Sequence, residues 1–318
     1  MRRILAAVTV AATLFAATAC TSDDNKSDQA GGSTKVSVGV IPIIDVAPIY
    51  LGKQKGFFSR RGIDLTMVPE QGGAPIVKGV LEGKYPFGFS NATSLMAAQS
   101  EGAPLKAVAN GVASTGRPGR DFSAIVVGFG SPIRSAKDLA GKRIAVNTLR
   151  SLGDTTVRQS VRQAGGNPAG LKFQAMPFAD MPDALQADQV DAAWVVEPAL
   201  SAALTQGGQV VASNYVDTAP DLTVAMYFTG QPTIDKDPEL VARFTEAVKE
   251  SLKYAAGHPD EVRNTVGTYT QINDTVRTAM ILPSWPEAIN RASLERLATL
   301  GRADGIFTKP PALDQLLP

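Results

Sequence analysis

From Lys35 onward, short β-branched runs alternate with helix-patterned runs, and this alternation constrains the fold more than any other feature of the chain. Lys35–Ile41 (KVSVGVI) reads as a strand. Asp45 then precedes an apolar-periodic run with Pro48 in its first turn, which is the pattern of a helix N-cap. That helix carries Ile49, Tyr50, Leu51, Phe57 and Phe58 and stops near Gly62. Next come a strand over Ile63–Val68, a Gln71-Gly72-Gly73 turn and a helix around Pro75–Glu82. A strand over Phe87–Ser90, a helix over Ala92–Ser100 and a strand over Lys106–Asn110 complete the first round. Strands joined through helices run parallel, so the expected class is α/β with a parallel, doubly wound sheet.

A second round follows the Gly/Arg-rich segment Ser114–Arg120. It holds strands over Ala124–Val127 and Arg143–Asn147, a helix over Gly153–Ala164, and continued alternation to Gln209–Ala212. Val224–Phe228 reads as one more strand. Beyond about Lys236 the pattern is helical, most clearly over Glu239–Ala256, where Leu240, Phe244, Val248 and Leu252 share a face. Two βα sets with a helical tail fit two domains in series. They fit equally a discontinuous domain that encloses the other.

The first residues have a different character. Arg2 and Arg3 precede an apolar stretch over Ile4–Ala17, broken only by Thr9 and Thr13. Its 14 residues fall short of the roughly 20 that a helix needs to span a bilayer. The stretch reads as the core of a signal peptide, residues 1–19. It ends on Ala17-Thr18-Ala19-Cys20, which resembles the bacterial lipobox, where the Cys is diacylated and becomes the first mature residue. Residues 20–33 hold almost nothing that packs and read as the lipidated Cys20 followed by a flexible tether. A lipid-anchored protein at the outer face of the bacterial cell membrane is the expected product.

Composition removes other classes. Lys plus Arg is 31 and Asp plus Glu is 30, for a net charge of +1, so the basic footprint of a nucleic-acid binder is missing. One Cys and one His build neither a Cys/His metal site nor a disulfide. No metal or cofactor is implied. His258, before Pro259, reads as a surface residue at a helix C-terminus.

Lys35–Asn110 resembles the start of periplasmic solute-binding proteins of the nitrate, sulfonate, taurine and pyrimidine-precursor group. The marks are Ala47-Pro-Ile-Tyr-Leu-Gly-Lys-Gln-Lys-Gly-Phe-Phe, Gly62-Ile-Asp-Leu, Gln71-Gly-Gly-Ala and Gly83-Lys-Tyr-Pro-Phe-Gly-Phe-Ser. Further on, Asp138-Leu-Ala-Gly-Lys-Arg-Ile-Ala-Val-Asn and Gln189-Val-Asp-Ala-Ala-Trp-Val-Val-Glu-Pro also fit. The resemblance implies a two-lobed periplasmic-binding-protein-like fold (type II), with two crossing strands and a helical tail. Lobe one would be 34–122 plus 214–318 and lobe two 123–213, closing as a hinge on a ligand held where helix N-termini meet strand ends. It also implies a monomeric, non-enzymatic component of an ABC importer that hands a small solute to a permease and its ATPase. A ligand-sensing receptor shares this layout. The yeast-type pyrimidine synthase shares the fold, but neither its His nor its cysteine-rich motif matches: His258 is outside the cleft loops, and Cys20 is taken by the anchor.

On that layout the ligand loops are Ile43-Ile44-Asp45, Gln71-Gly72-Gly73, Ser90-Asn91-Ala92, Asn147-Thr148 through Ser151-Leu152, and Glu197, with Tyr227 near the second crossing. Each has a structural alternative. Asp45 reads as an N-cap, Gly72-Gly73 as turn chemistry, Asn91 as an Asx cap, Trp194 as core and Glu197-Pro198 as a helix cap. Arg117 and Arg120 read as solvated loop charges, one of which could reach an anion. A sulfonate, taurine or nitrate is the expected solute, with an aminopyrimidine as the alternative. Asp45 and Glu197 would oppose a simple anion and suit an amino group.

Overall fold

The computed structural model describes residues 33–318. The expected signal peptide, Cys20 and all but the last residue of the expected tether lie outside the described residues. Two five-stranded mixed sheets form the frame. The first is ordered β2-β1-β3-β10-β4 and the second β7-β6-β8-β5-β9. The first sheet comprises β1 (Thr34–Val40), β2 (Ile63–Pro69), β3 (Phe87–Asn91), β4 (Leu105–Ala113) and β10 (Thr223–Gly230). The second comprises β5 (Ser123–Val127), β6 (Arg143–Val146), β7 (Lys172–Ala175), β8 (Ala192–Val196) and β9 (Gln209–Ala212). The order of elements follows the alternation in the sequence.

The parallel, doubly wound reading holds for the strands joined through helices but not for β10 and β5. β10 runs antiparallel to both β3 and β4, and β5 antiparallel to both β8 and β9. The remaining pairs, β1 with β2 and β3, and β6 with β7 and β8, are parallel. Each reversed strand is the one that arrives from the other sheet. A helical crossover returns the chain to the same end of a sheet. A direct crossing delivers it at the opposite end, and strand-by-strand patterning does not register that difference.

Hydrogen bonds pin the two crossings together. Ser114 N–H donates to the Leu222 carbonyl at 2.9 Å, and Gly119 N–H to Ser213 Oγ at 2.8 Å. Asp121, buried in the first crossing, accepts from Ser114 Oγ and from the Thr115 and Phe122 amides. Desolvation raises its pKa against the pull of those donors.

The helical tail packs on the first sheet. The helix Pro238–Gly257 starts with Asp237 accepting from the Leu240 amide at 2.8 Å and with Pro238 in its first turn. Its buried face presents Leu240, Phe244, Ala247, Val248, Ser251, Leu252 and Ala255. Phe244 stacks on Phe87 of β3, ring centroids 3.9 Å apart, and lies near Phe58 and Tyr227. The tail is not helical throughout. Residues 280–290 hold only an isolated bridge, Ala113 to Ser284. Pro283 and Pro286 lack the N–H that a helix needs there.

Phe244→Ala removes an aromatic side chain that joins the tail to the first sheet. Urea unfolding should show a loss of about 3–5 kcal/mol. A loss below about 1 kcal/mol would show that the tail is peripheral to this core.

Candidate functional site

The loops between the two sheets hold the candidate site. At β1's carboxyl end, Ile44 N–H donates to the Glu197 carbonyl at 3.0 Å, tying the end of β1 to the end of β8. Ser151 Oγ bonds Asn91 Oδ1 at 3.3 Å and Ser94 Oγ at 3.1 Å. Asn147 Nδ2 donates to the Gln71 carbonyl at 3.4 Å. Gly72 is extended, so its role is not conformational. A Cβ there would sit 2.5 Å from Thr148 Cγ2, so a side chain would hold the two loops apart.

Between these contacts lies a cavity of about 20 Å³. Asp45, Phe89 and Asn91 face it from the first sheet's side, and Asn147, Phe178, Trp194 and Tyr215 from the second's. Leu152 also lines it. No Lys, Arg or His does, among the described residues. The volume is about that of one water, so the loops are shut on each other.

Asp45 is the exceptional group. It is 2 % exposed, and its Oδ1 has no hydrogen-bond partner. Burial pushes its pKa up to about 8, with its own amide opposing and Asp121 adding. It does not cap a helix: it sits inside the one-turn segment Ile44–Val46, and the helix Ala47–Gln54 begins with Val46 at its N-cap and no side-chain cap bond. The N-cap reading of Asp45 is therefore corrected. Tyr227 Oη and Asn147 Oδ1 are likewise buried without partners. Burial raises the Tyr227 pKa well above the ordinary value, and the nearby Asp45 charge raises it further. An unsatisfied buried polar atom costs about 1–3 kcal/mol, and three of them lie in this region.

The other expected residues divide by what already satisfies them. Asn91 does cap the helix Ala92–Ser100, accepting from the Ser94 amide at 2.9 Å, and it also lines the cavity. Ser90 and Ala92 are buried beside it, and a Cβ on Gly73 would run into the Ser90 hydroxyl. Glu197 is 0 % exposed, and both its carboxylate oxygens are used. Oε2 accepts from the Ser201 amide, and Oε1 from Ser201 Oγ and the Ile281 amide. Desolvation lifts its pKa to about 6 against those bonds. This matches the helix-cap alternative and leaves no free oxygen. His258 is exposed and stacks on Tyr254, with Nδ1 2.7 Å from the Tyr254 carbonyl.

Sequence reasoning missed Phe89, Phe178 and Tyr215 as cavity walls and placed Trp194 in the core. Trp194 is 3 % exposed and donates from Nε1 to Ser123 Oγ at 2.8 Å, while also facing the cavity. An aromatic on an apolar strand has the same pattern whether it faces core or cleft.

Two α/β halves shut on a polar, aromatic-walled cavity define a periplasmic-binding-protein fold. The chain belongs to the family described as NMT1/THI5 like, whose model matches residues 43–262. A protein of Escherichia coli (strain K12), named "Putative aliphatic sulfonates-binding protein", is 32% identical over 127 residues. That match covers 39% of this chain and 39% of the relative. The structure of a ligand-binding component of an ABC-type import system from Staphylococcus aureus, with zinc bound, superposes with a TM-score of 0.77. It is 16% identical, over 90% of this chain and 97% of that one. The alkanesulfonate-binding protein SsuA from Xanthomonas axonopodis pv. citri, bound to MOPS, gives 0.74 at 17% identity, over 91% and 99%. Among the described residues here, no group of three or more His, Cys, Asp or Glu is placed to hold a metal. No described helix is long and apolar enough to cross a membrane.

The titration of Asp45 gives a signed prediction. Its folded pKa of about 8 lies above the unfolded value of about 3.9. Between the two, the folded state holds the extra proton, so stability falls as pH rises, by at most about 1.4 kcal/mol per pH unit. Asp154 and Glu197, each raised to about 6, act in the same direction only below that value. Asp45→Asn should therefore flatten the fall between pH 6 and 8 in urea unfolding of the ligand-free protein. An unchanged slope would show that Asp45 does not titrate there.

Proposed function

We propose that this chain is the extracytoplasmic solute-binding lipoprotein of an ABC importer, capturing a small amino-bearing solute between its two halves and delivering it to a membrane permease. The observation that carries the solute class is the buried, unpartnered Asp45 carboxyl in a cavity with no cationic wall. An amino group supplies the hydrogen bonds that Asp45 Oδ1, Asn147 Oδ1 and Tyr227 Oη lack. Nitrate, or a sulfonate without an amine, would meet a carboxyl and no guanidinium or ammonium there. Flat aromatic walls from Phe89, Phe178 and Trp194 favour an aminopyrimidine. The relative named for aliphatic sulfonates favours taurine as the second reading.

The units that move on this reading are residues 34–122 with 214–318, and residues 123–213. The Gly72–Thr148 and Ser94–Ser151 contacts part to admit the solute, and the halves close around it less tightly than here, where the space left is about 20 Å³. Cys20 carries the anchor, residues 21–33 the tether, and the body works as a monomer at the outer membrane face. Transport is preferred to sensing because one structural neighbour is itself an import component.

A thermal-shift panel of hydroxymethyl-aminopyrimidine, taurine, ethanesulfonate and nitrate tests the reading. A true ligand at 100 times its Kd adds roughly 2.7 kcal/mol of stability. The amino-bearing compounds should shift the wild type, and Asp45→Asn should abolish the shift. A shift with nitrate or ethanesulfonate alone would refute the amino-group reading.

A further inference from the structure

A second groove lies beside the first crossing, away from the cavity just described. One wall is Thr115, Arg117, Gly119 and Arg120 of the crossing. The other is Arg263 of the helix Pro259–Val266 and the segment Met280–Ser284. The volume between them is about 690 Å³.

The groove walls carry three guanidiniums and no carboxylate. Arg117 and Arg120 are exposed, and among the described residues neither meets an acidic partner. The Asp121 oxygens are taken by Ser114, Thr115 and Phe122. Arg263 is partly engaged, its Nη2 donating to the Met280 carbonyl at 3.3 Å and its Nη1 lying 3.7 Å from the exposed Asp260 carboxylate. The loop that presents the arginines is fixed. Thr115 Oγ1 donates to the Arg120 carbonyl at 2.9 Å and accepts from the Arg117 amide at 3.3 Å, and Gly119 is held to Ser213. In a chain of net charge +1, this concentration of one sign is local. A groove walled by one sign focuses its field, and guanidinium forks match phosphoryl oxygens in pairs.

We propose that this groove binds a phosphoryl polyanion, with a diphosphate group as the natural match for the two exposed guanidiniums of Arg117 and Arg120, the charge of Arg263 lying in the facing wall. The chemistry is shared by a soluble diphosphate and by the phosphate headgroups of a lipid surface. The groove also adjoins the hinge: Ile281 in its wall donates to Glu197 Oε1, at the end of β8. The site does not depend on the solute reading above.

The test uses the full-length protein and inorganic pyrophosphate, measured by isothermal titration at low salt. Wild type should bind, and added NaCl should weaken binding. Arg117→Ala with Arg120→Ala should weaken it by roughly tenfold or more. Arg296→Ala, an exposed arginine outside the groove, should leave it unchanged. Melting temperatures of all variants should match wild type, because the substituted side chains are exposed. A parallel arm compares flotation of wild type and the double variant with phosphatidylglycerol and phosphatidylcholine vesicles. Arg-dependent pyrophosphate binding identifies a soluble diphosphate. Arg-dependent binding to phosphatidylglycerol vesicles alone identifies a headgroup. If neither probe shows binding that depends on Arg117 and Arg120, the proposal is overturned.

Discussion

One buried carboxyl organises the account. Asp45 lies at the end of β1, out of water, with an oxygen that nothing in the chain satisfies. A protein keeps such a group at a cost of about 1–3 kcal/mol, and burial shifts its pKa rather than leaving it charged. The contacts that enclose it come from both sheets: Ile44 to the Glu197 carbonyl, Ser151 to Asn91, and Asn147 to Gln71. The contacts that join the loops of the two sheets are thus the ones that take Asp45 out of water.

The topology places those loops against each other. Each sheet receives one reversed strand, β10 or β5, straight from the other half, and the rest of each sheet is parallel. Strand ends and helix starts from both halves then face each other across the two crossings. The crossings are bonded to each other through Ser114, Leu222, Gly119 and Ser213. The family match covers most of the described chain, and the structural likenesses support the same fold.

The frame was legible because its signals are local. Strand and helix periodicities in Lys35–Ile41, Ile63–Val68 and Glu239–Ala256 survive folding with small changes at their ends. The reversed strands were not legible, since Val224–Phe228 has the same apolar pattern in either direction. Asp45 shows a related limit. A carboxylate before an apolar run with an early proline signals a cap, and only the tertiary setting reveals that it is buried and unpaired. Glu197 went the other way: its oxygens are filled by Ser201 and by Ile281, which is 84 residues away in the chain. Phe178 and Tyr215 carry no mark in the sequence that separates a cleft wall from a core position. Gly72 reads as turn chemistry in the sequence, but in the structure its lack of a side chain permits close approach to Thr148.

The most direct measurement is a crystal structure of the protein with hydroxymethyl-aminopyrimidine or taurine bound. The account predicts the amino nitrogen within about 3.2 Å of Asp45 Oδ1, with the two halves shut around it. A solute seated elsewhere, or an Asp45 carboxyl satisfied by the protein's own groups in the bound form, would contradict it.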